Sequence, residues 1–151
     1  MKNKIFNTNK DWTGLVIRLT LGLIMFPHGA QKMLGWFHGP GFSREMEHLT
    51  GPMHLPWVIS ILVIVIEFFG AISLLIGWAS RLWAVTFIIL FLGIIFTAHV
   101  EHGFFMNWFG NQKGEGYEYH LLVIGLCMAL VLNGSGKYSV DQLISKYMTK
   151  K

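Results

Sequence analysis

Glu67 stands alone in the otherwise uncharged run from Trp57 to Trp78, which is long enough to cross a bilayer. A carboxylate at the centre of such a span costs about 2.5–3.5 kcal/mol to insert, so it needs a partner inside the protein and by default marks a functional site. Other chemically capable side chains gather nearer the ends of the apolar runs. His28 and Lys32 close the first run, His99, Glu101 and His102 close the third, and Glu118, Tyr119 and His120 open the fourth. Imidazole titrates near neutrality and also ligates metals. The cluster therefore supports three chemistries: hydrogen bonding among its members and interfacial water, a polar pocket for a small redox headgroup such as a quinone, or a haem or metal site shared between helices. No tight spacing such as His-x-x-x-His occurs, and no metal ligand is assigned. Glu67, His28 and His120 are the candidate proton-transfer groups. Arg18, Lys32, His99, Glu118 and Tyr119 are the candidate ligand-binding groups.

The elements that must position these residues are membrane helices. The chain has 151 residues, 53% hydrophobic and 13% charged, against about 25% charged in soluble domains. One membrane domain over 1–151 is expected, folded as an all-α, integral membrane four-helix bundle. Its spans fall near 13–34, 57–78, 82–100 and 118–133. Tryptophans and tyrosines bracket them as an aromatic belt. Gly39-Pro40-Gly41 precedes a short external surface helix with Phe42, Met46 and Leu49 opposite Arg44, Glu45 and Glu47. Gly134-Ser135-Gly136 stops the fourth span, and Ser139 caps an amphipathic cytoplasmic tail helix over 139–148.

Charge sets orientation. The net charge of +4 reads as topology, not nucleic-acid binding, because Lys2, Lys4, Lys10, Arg81, Lys137, Lys146, Lys150 and Lys151 share the side of the termini. The positive-inside rule puts that side in the cytoplasm. The N-terminal basic and apolar residues imitate a signal peptide, but no small-x-small cleavage site follows, so the segment reads as a retained span. The single cysteine, Cys127, excludes an intramolecular disulfide and reads as a small packed hydrophobe.

Helical periodicity places Gly14, Arg18, Gly22, Met25, Gly29 and Lys32 on one face of the first span, with His28 at its edge. Ser60, Glu67, Gly70 and Ala71 share a face of the second span, and Thr86, Gly93 and Thr97 share one of the third. Glycine-rich faces allow close packing, so all three are expected to face the bundle interior. Arg18 lies roughly 9 Å to the cytoplasmic side of Glu67 and His28 roughly 6 Å to the other. A pair with Arg18 makes Glu67 structural, and action with His28 makes it chemical. Both remain open. Pro27 removes a helical hydrogen bond beside His28 and can open a cavity there.

These motifs resemble the DoxX family. The likeness is carried by Phe26-Pro27-His28-Gly29-Ala30-Gln31-Lys32-Met33-Leu34-Gly35, by Glu67-x-x-Gly70 with Gly77 and Arg81, by Gly116-Tyr117-Glu118-Tyr119-His120, and by Gly134-x-Gly136 with Ser139-Val140-Asp141. It covers roughly residues 12–142. The resemblance implies a four-helix protein of the bacterial inner membrane, in a family named for a subunit of a thiosulfate:quinone oxidoreductase. Its members look like membrane partners of redox or detoxification enzymes. It singles out Arg18, His28, Gly29, Lys32, Glu67, Arg81, Tyr117, Glu118, Tyr119 and His120.

Three functions follow as expectations. The first is a membrane subunit or partner of a quinone-linked oxidoreductase or detoxification system. The chain has no cysteine pair and no Gly-x-Gly-x-x-Gly motif, so electrons must come from a partner redox enzyme or a bound substrate. The second is a non-catalytic scaffold or assembly factor. The third is a small-molecule or proton-coupled carrier, disfavoured by four short spans without a broken-helix pair. Substrate, partner enzyme and oligomeric state are not legible.

Overall fold

A computed structural model describes residues 5–149, so Lys2, Lys4, Lys150 and Lys151 lie outside the described residues. The fold is all-α, with no strand among those residues. The helices are α1 (Trp12–Leu34), α2 (Gly41–Thr50), α3 (Trp57–Ile76), α4 (Ser80–His102), α5 (Glu118–Asn133) and α6 (Val140–Thr149). Helix α3 widens into a π-turn over Ile66–Gly70, and α4 does so over Ile95–His99 before a 3-10 turn. Helices α1, α3 and α4 are long and apolar enough to cross a membrane. Helix α5 has 16 residues, about 24 Å, which is short of the roughly 30 Å hydrocarbon core. The preceding loop extends the apolar surface with exposed Phe104, Phe105, Trp108 and Phe109.

The small-residue stripe of α1 sets the packing. Helix α1 lies along α3, α4 lies along α5, and α1 also touches α5. Gly14, Gly22 and Gly29 are all buried. A Cβ on Gly22 would stand 3.2 Å from the Ala71 carbonyl, and one on Gly29 would stand 2.5 Å from the Phe68 Cα. The α1 residue numbers rise as those of α3 fall, so the two helices run antiparallel. Pro27 is accommodated within a continuous α1.

The face expected inward on α4 points elsewhere. Gly93 has no neighbour within 4 Å of a built Cβ, and Thr97 is exposed. Ala84, Phe87, Leu90 and Phe91 form the buried side instead. Thr86 and Thr97 donate to the carbonyls of Leu82 and Gly93 at 3.0 and 2.9 Å. Their hydroxyls are satisfied within the helix and need no bundle partner.

At the end that carries the termini, two arginines complete helix ends whose last carbonyls have no intrahelical donor. Helix α3 stops at Gly77 (φ 71°), whose N–H donates to Leu74 at 3.1 Å, while Trp78 N–H donates to Ser73 at 2.9 Å. Left-handed backbone at this stop suits glycine. Arg18, 1% exposed, donates to the carbonyls of Leu74 and Leu75 at 3.2 and 2.5 Å. It also donates to Ser135, Lys137 and Tyr138 at 2.9, 3.1 and 2.8 Å. Arg18 therefore neither pairs with Glu67 nor snorkels to headgroups. Arg81 donates likewise to Val131 and Leu132 at the end of α5.

Asp141, 1% exposed, accepts from Ala79 N–H at 2.6 Å and Ser80 N–H at 3.0 Å, capping α4 from the tail. The Ser135 hydroxyl also donates to it. The tail helix begins as expected, with Gln142 N–H on Ser139 Oγ at 3.2 Å. Its Leu143 and Tyr147 are exposed.

Removing Arg18 takes the side-chain donor from five carbonyls, two of the bonds buried and three part-buried. Arg18→Leu is expected to destabilise the bundle by about 3–5 kcal/mol. Arg18→Lys recovers only part of this, since an ammonium lacks the planar five-donor fork. Thermal denaturation in detergent reads both, and a wild-type midpoint for Arg18→Leu defeats the clamp. At the start of α1, Asp11 accepts from Gly14 N–H at 3.0 Å and from Asn133 at 3.0 Å. These bonds, the backbone one foremost, hold its carboxyl below its usual pKa. Their stabilisation is present above the ordinary aspartate value and lost as pH falls through the lowered one. Melting curves across acid pH should show this dependence in wild type and not in Asp11→Asn.

Candidate functional site

At the end of the bundle opposite the termini, a chamber of about 220 Å³ is lined by Met25, His28, Lys32, Glu67, Phe91, Ile94, His99, Tyr119 and His120. Four helices contribute to it. Glu67 comes from the π-turn of α3 and His99 from that of α4. Such turns recur at functional sites because the wider helix re-aims its side chains.

The partner of Glu67 is Lys32. Lys32 Nζ lies 2.6 Å from Glu67 Oε1 and 3.8 Å from Glu45 Oε1. The Lys32 side chain is 24% exposed, Glu67 3% and Glu45 11%. The lysine thus links a membrane-buried carboxylate to one on the surface helix. Side chains lean toward the N-terminus of their own helix. Lys32, late in α1, leans toward mid-bundle, and Glu67 on antiparallel α3 leans back toward it. Arg18, early in α1, leans in the same direction as Lys32, which carries it away from Glu67. Gly29 makes the meeting possible, because its missing Cβ lets α1 lie on the Glu67–Phe68 backbone.

Glu67 Oε2 and His120 Nδ1 are buried and have no hydrogen-bond partner. Buried polar atoms are rarely left so. The His99 and His120 rings lie 4.2 Å apart. His99 Nδ1 is 2.7 Å from the Glu115 carbonyl, which can only accept, so Nδ1 donates to it. The Tyr119 hydroxyl donates to Met25 Sδ at 3.8 Å, and its ring lies 5.6 Å from His120. His28 lines the chamber yet is exposed, which puts it at the mouth.

Six of the candidate residues meet here: Glu67, His28, His120, Lys32, His99 and Tyr119. Two do not. Arg18 is in the clamp at the far end, and Glu118 accepts from Met106 N–H at 3.1 Å and Trp108 Nε1–H at 3.4 Å, organising the loop before α5. Glu45, expected on the polar outer face of α2, is instead buried with Met46 and Leu49. Its spacing from Leu49, one helical turn, and the need of Lys32 for a counter-ion were the available signals. Among the described residues, no group of three or more His, Cys, Asp or Glu side chains is disposed to hold a metal ion.

Apolar helices of membrane-crossing length, packed around a chamber lined by an ion pair and three histidines, define a small helical membrane protein with a polar site within the bundle. The DoxX family model matches residues 14–100, and the chain belongs to that family. It is 27% identical over 132 residues to the Bacillus subtilis protein named "Putative oxidoreductase CatD", covering 87% of each chain. It is 29% identical to the Escherichia coli inner membrane protein YphA, over 85% of this chain and 87% of that one. Identity to the Escherichia coli inner membrane protein YqjF is 28%, over 87% and 92%. No solved structure matches it.

Removing one member of a buried ion pair leaves the other charge uncompensated, at a cost of about 3–5 kcal/mol. Lys32→Met and Glu67→Leu should each lower the thermal midpoint, and the double substitution should recover most of the loss. Additive losses in that cycle would show that the two residues do not interact.

Proposed function

We propose that the protein is the membrane subunit or partner of a quinone-linked oxidoreductase or detoxification system, with the chamber as the headgroup site. The observation that carries this reading is that Glu67 and His120, which line one small chamber, each hold a buried polar atom without a partner, Oε2 and Nδ1. Conversion of a quinone to a quinol takes up two electrons and two protons. The electrons come from the redox carrier of the partner enzyme, which is oxidised by two. This chain binds the headgroup and handles protons.

Lys32 anchors Glu67 through Oε1 and leaves Oε2 free to hydrogen-bond a ring oxygen or exchange a proton. His120 Nδ1 offers a second such atom, and the Glu115 carbonyl orients His99 beside it. Protons return through the partly exposed Lys32, or by way of the exposed His28 at the mouth. Phe91 and Ile94 supply apolar walls for the ring. The basic residues on the side of the termini support a cytoplasmic location for both termini, in the bacterial inner membrane. The chamber then opens toward the external half of the bilayer.

A scaffold role is the alternative, supported by the Lys32–Glu67 bond, which gives Glu67 a structural partner. Purification in mild detergent followed by quinone extraction and quinone titration separates the two. The proposal expects bound or bindable quinone, with affinity lowered about tenfold or more by Glu67→Gln and His120→Ala in protein that still melts cooperatively. No quinone bound by wild type, together with full complementation by His28→Ala and His120→Ala, leaves the scaffold reading.

A further inference from the structure

Outside the chamber, an apolar groove of about 310 Å³ runs between α3 and α4 on the lipid-facing side. Ile59, Leu62 and Ile66 form one wall, and Ile89, Gly93 and Thr97 form the other. Ile94 lines both the groove and the chamber, so the two cavities adjoin across one side chain. They meet where both helices change register, with Ile66 opening the π-turn of α3 and Ile95 that of α4. The floor is open at Gly93, where a Cβ would touch nothing within 4 Å. Thr97 presents no free donor, because its hydroxyl is bonded to the Gly93 carbonyl at 2.9 Å.

The chamber, at about 220 Å³, is smaller than the roughly 300–1,000 Å³ of pockets that enclose a drug-sized ligand. It suits a headgroup and leaves a long substituent outside. Polar atoms without partners lie on one side of Ile94, and apolar wall lies on the other. That sequence of surfaces matches an amphiphile with a compact polar ring and a branched hydrocarbon chain. We infer that the α3–α4 groove holds the polyprenyl chain of the quinone whose ring occupies the chamber, and that the molecule enters laterally from the bilayer. This rests on the chamber being a quinone site, as proposed above. It adds that the substrate is chain-bearing and membrane-dissolved, and that α3 and α4 select for the chain.

The test titrates detergent-purified full-length protein with two probes, 2-methyl-1,4-naphthoquinone and the same ring bearing a geranylgeranyl chain. Each is examined with wild type, Gly93→Phe and Gly125→Phe. Gly125 on α5 also has open space at its Cβ position but lies outside the groove, which makes it the control. The chained probe should bind wild type about tenfold or more tightly than the ring alone, after correction for micelle partitioning. Gly93→Phe should abolish that advantage and leave the chainless probe unchanged, and Gly125→Phe should alter neither. Glu67→Gln should weaken both probes. Equal binding of the two by wild type, or an advantage that survives Gly93→Phe, overturns the groove assignment while ring binding stays intact. Geranylgeraniol binding as tightly as the chained quinone also overturns it, marking an ordinary lipid crevice. Failure of both quinones to bind overturns the headgroup reading itself, and the groove assignment with it.

Discussion

The ammonium of Lys32 and the carboxylate of Glu67, 2.6 Å apart, impose a constraint that much of this bundle is built to meet. The buried carboxylate of Glu67 needs a partner inside the protein. For the two charges to meet, α1 and α3 must run antiparallel and touch backbone to backbone, which Gly29 permits. The α3 helix must also turn Glu67 inward, and its π-turn lies at that point. Once joined, the pair uses only one carboxylate oxygen. Structural pairing and chemical availability are therefore properties of different atoms of the same group.

The two ends of the bundle handle polar groups in opposite ways. At the end of the termini, Arg18, Arg81 and Asp141 meet backbone groups: carbonyls for the arginines, and N–H groups for the aspartate. A helix end in an apolar setting must find such partners, and here they come from other segments of the chain. Span, turn and tail are thereby locked together. At the chamber end, polar atoms are gathered and left incomplete. The arginines and Asp141 at one end are bonded to backbone, whereas Glu67 Oε2 and His120 Nδ1 at the other have no partner.

The chain belongs to the DoxX family, and one of its relatives is named "Putative oxidoreductase CatD". The chain offers a small chamber lined by titratable side chains and an adjoining apolar groove. Under the proposed function its part is to hold and protonate a substrate, with electron transfer left to a partner.

Much of the architecture was legible from residue spacing. Apolar runs bounded by tryptophans announce the long helices, the Gly14–Gly22–Gly29 stripe announces the contact face of α1, and Gly134-x-Gly136 announces the stop before the tail. Lys32, Glu67, His28, His99, Tyr119 and His120 were all identifiable as polar groups in apolar surroundings. Which of them meet was not. A helical wheel reports an angle on one helix and says nothing of the neighbour opposite. The wheel assigned the small face of α4 inward, but large residues at Phe87, Leu90 and Phe91 claim the core by burying more surface. His99, about 120° around that helix, is consequently brought into the chamber.

The choice of partner for Glu67 fell the same way. Arg18 and His28 looked suitable by depth, yet side-chain lean and helix antiparallelism sent Lys32 to Glu67 and Arg18 to the far end. By itself the sequence determined which groups are too polar for their surroundings and so must be partnered. Tertiary structure alone decided the partners, because pairing depends on inter-helix distance and direction, and these emerge only when the helices pack.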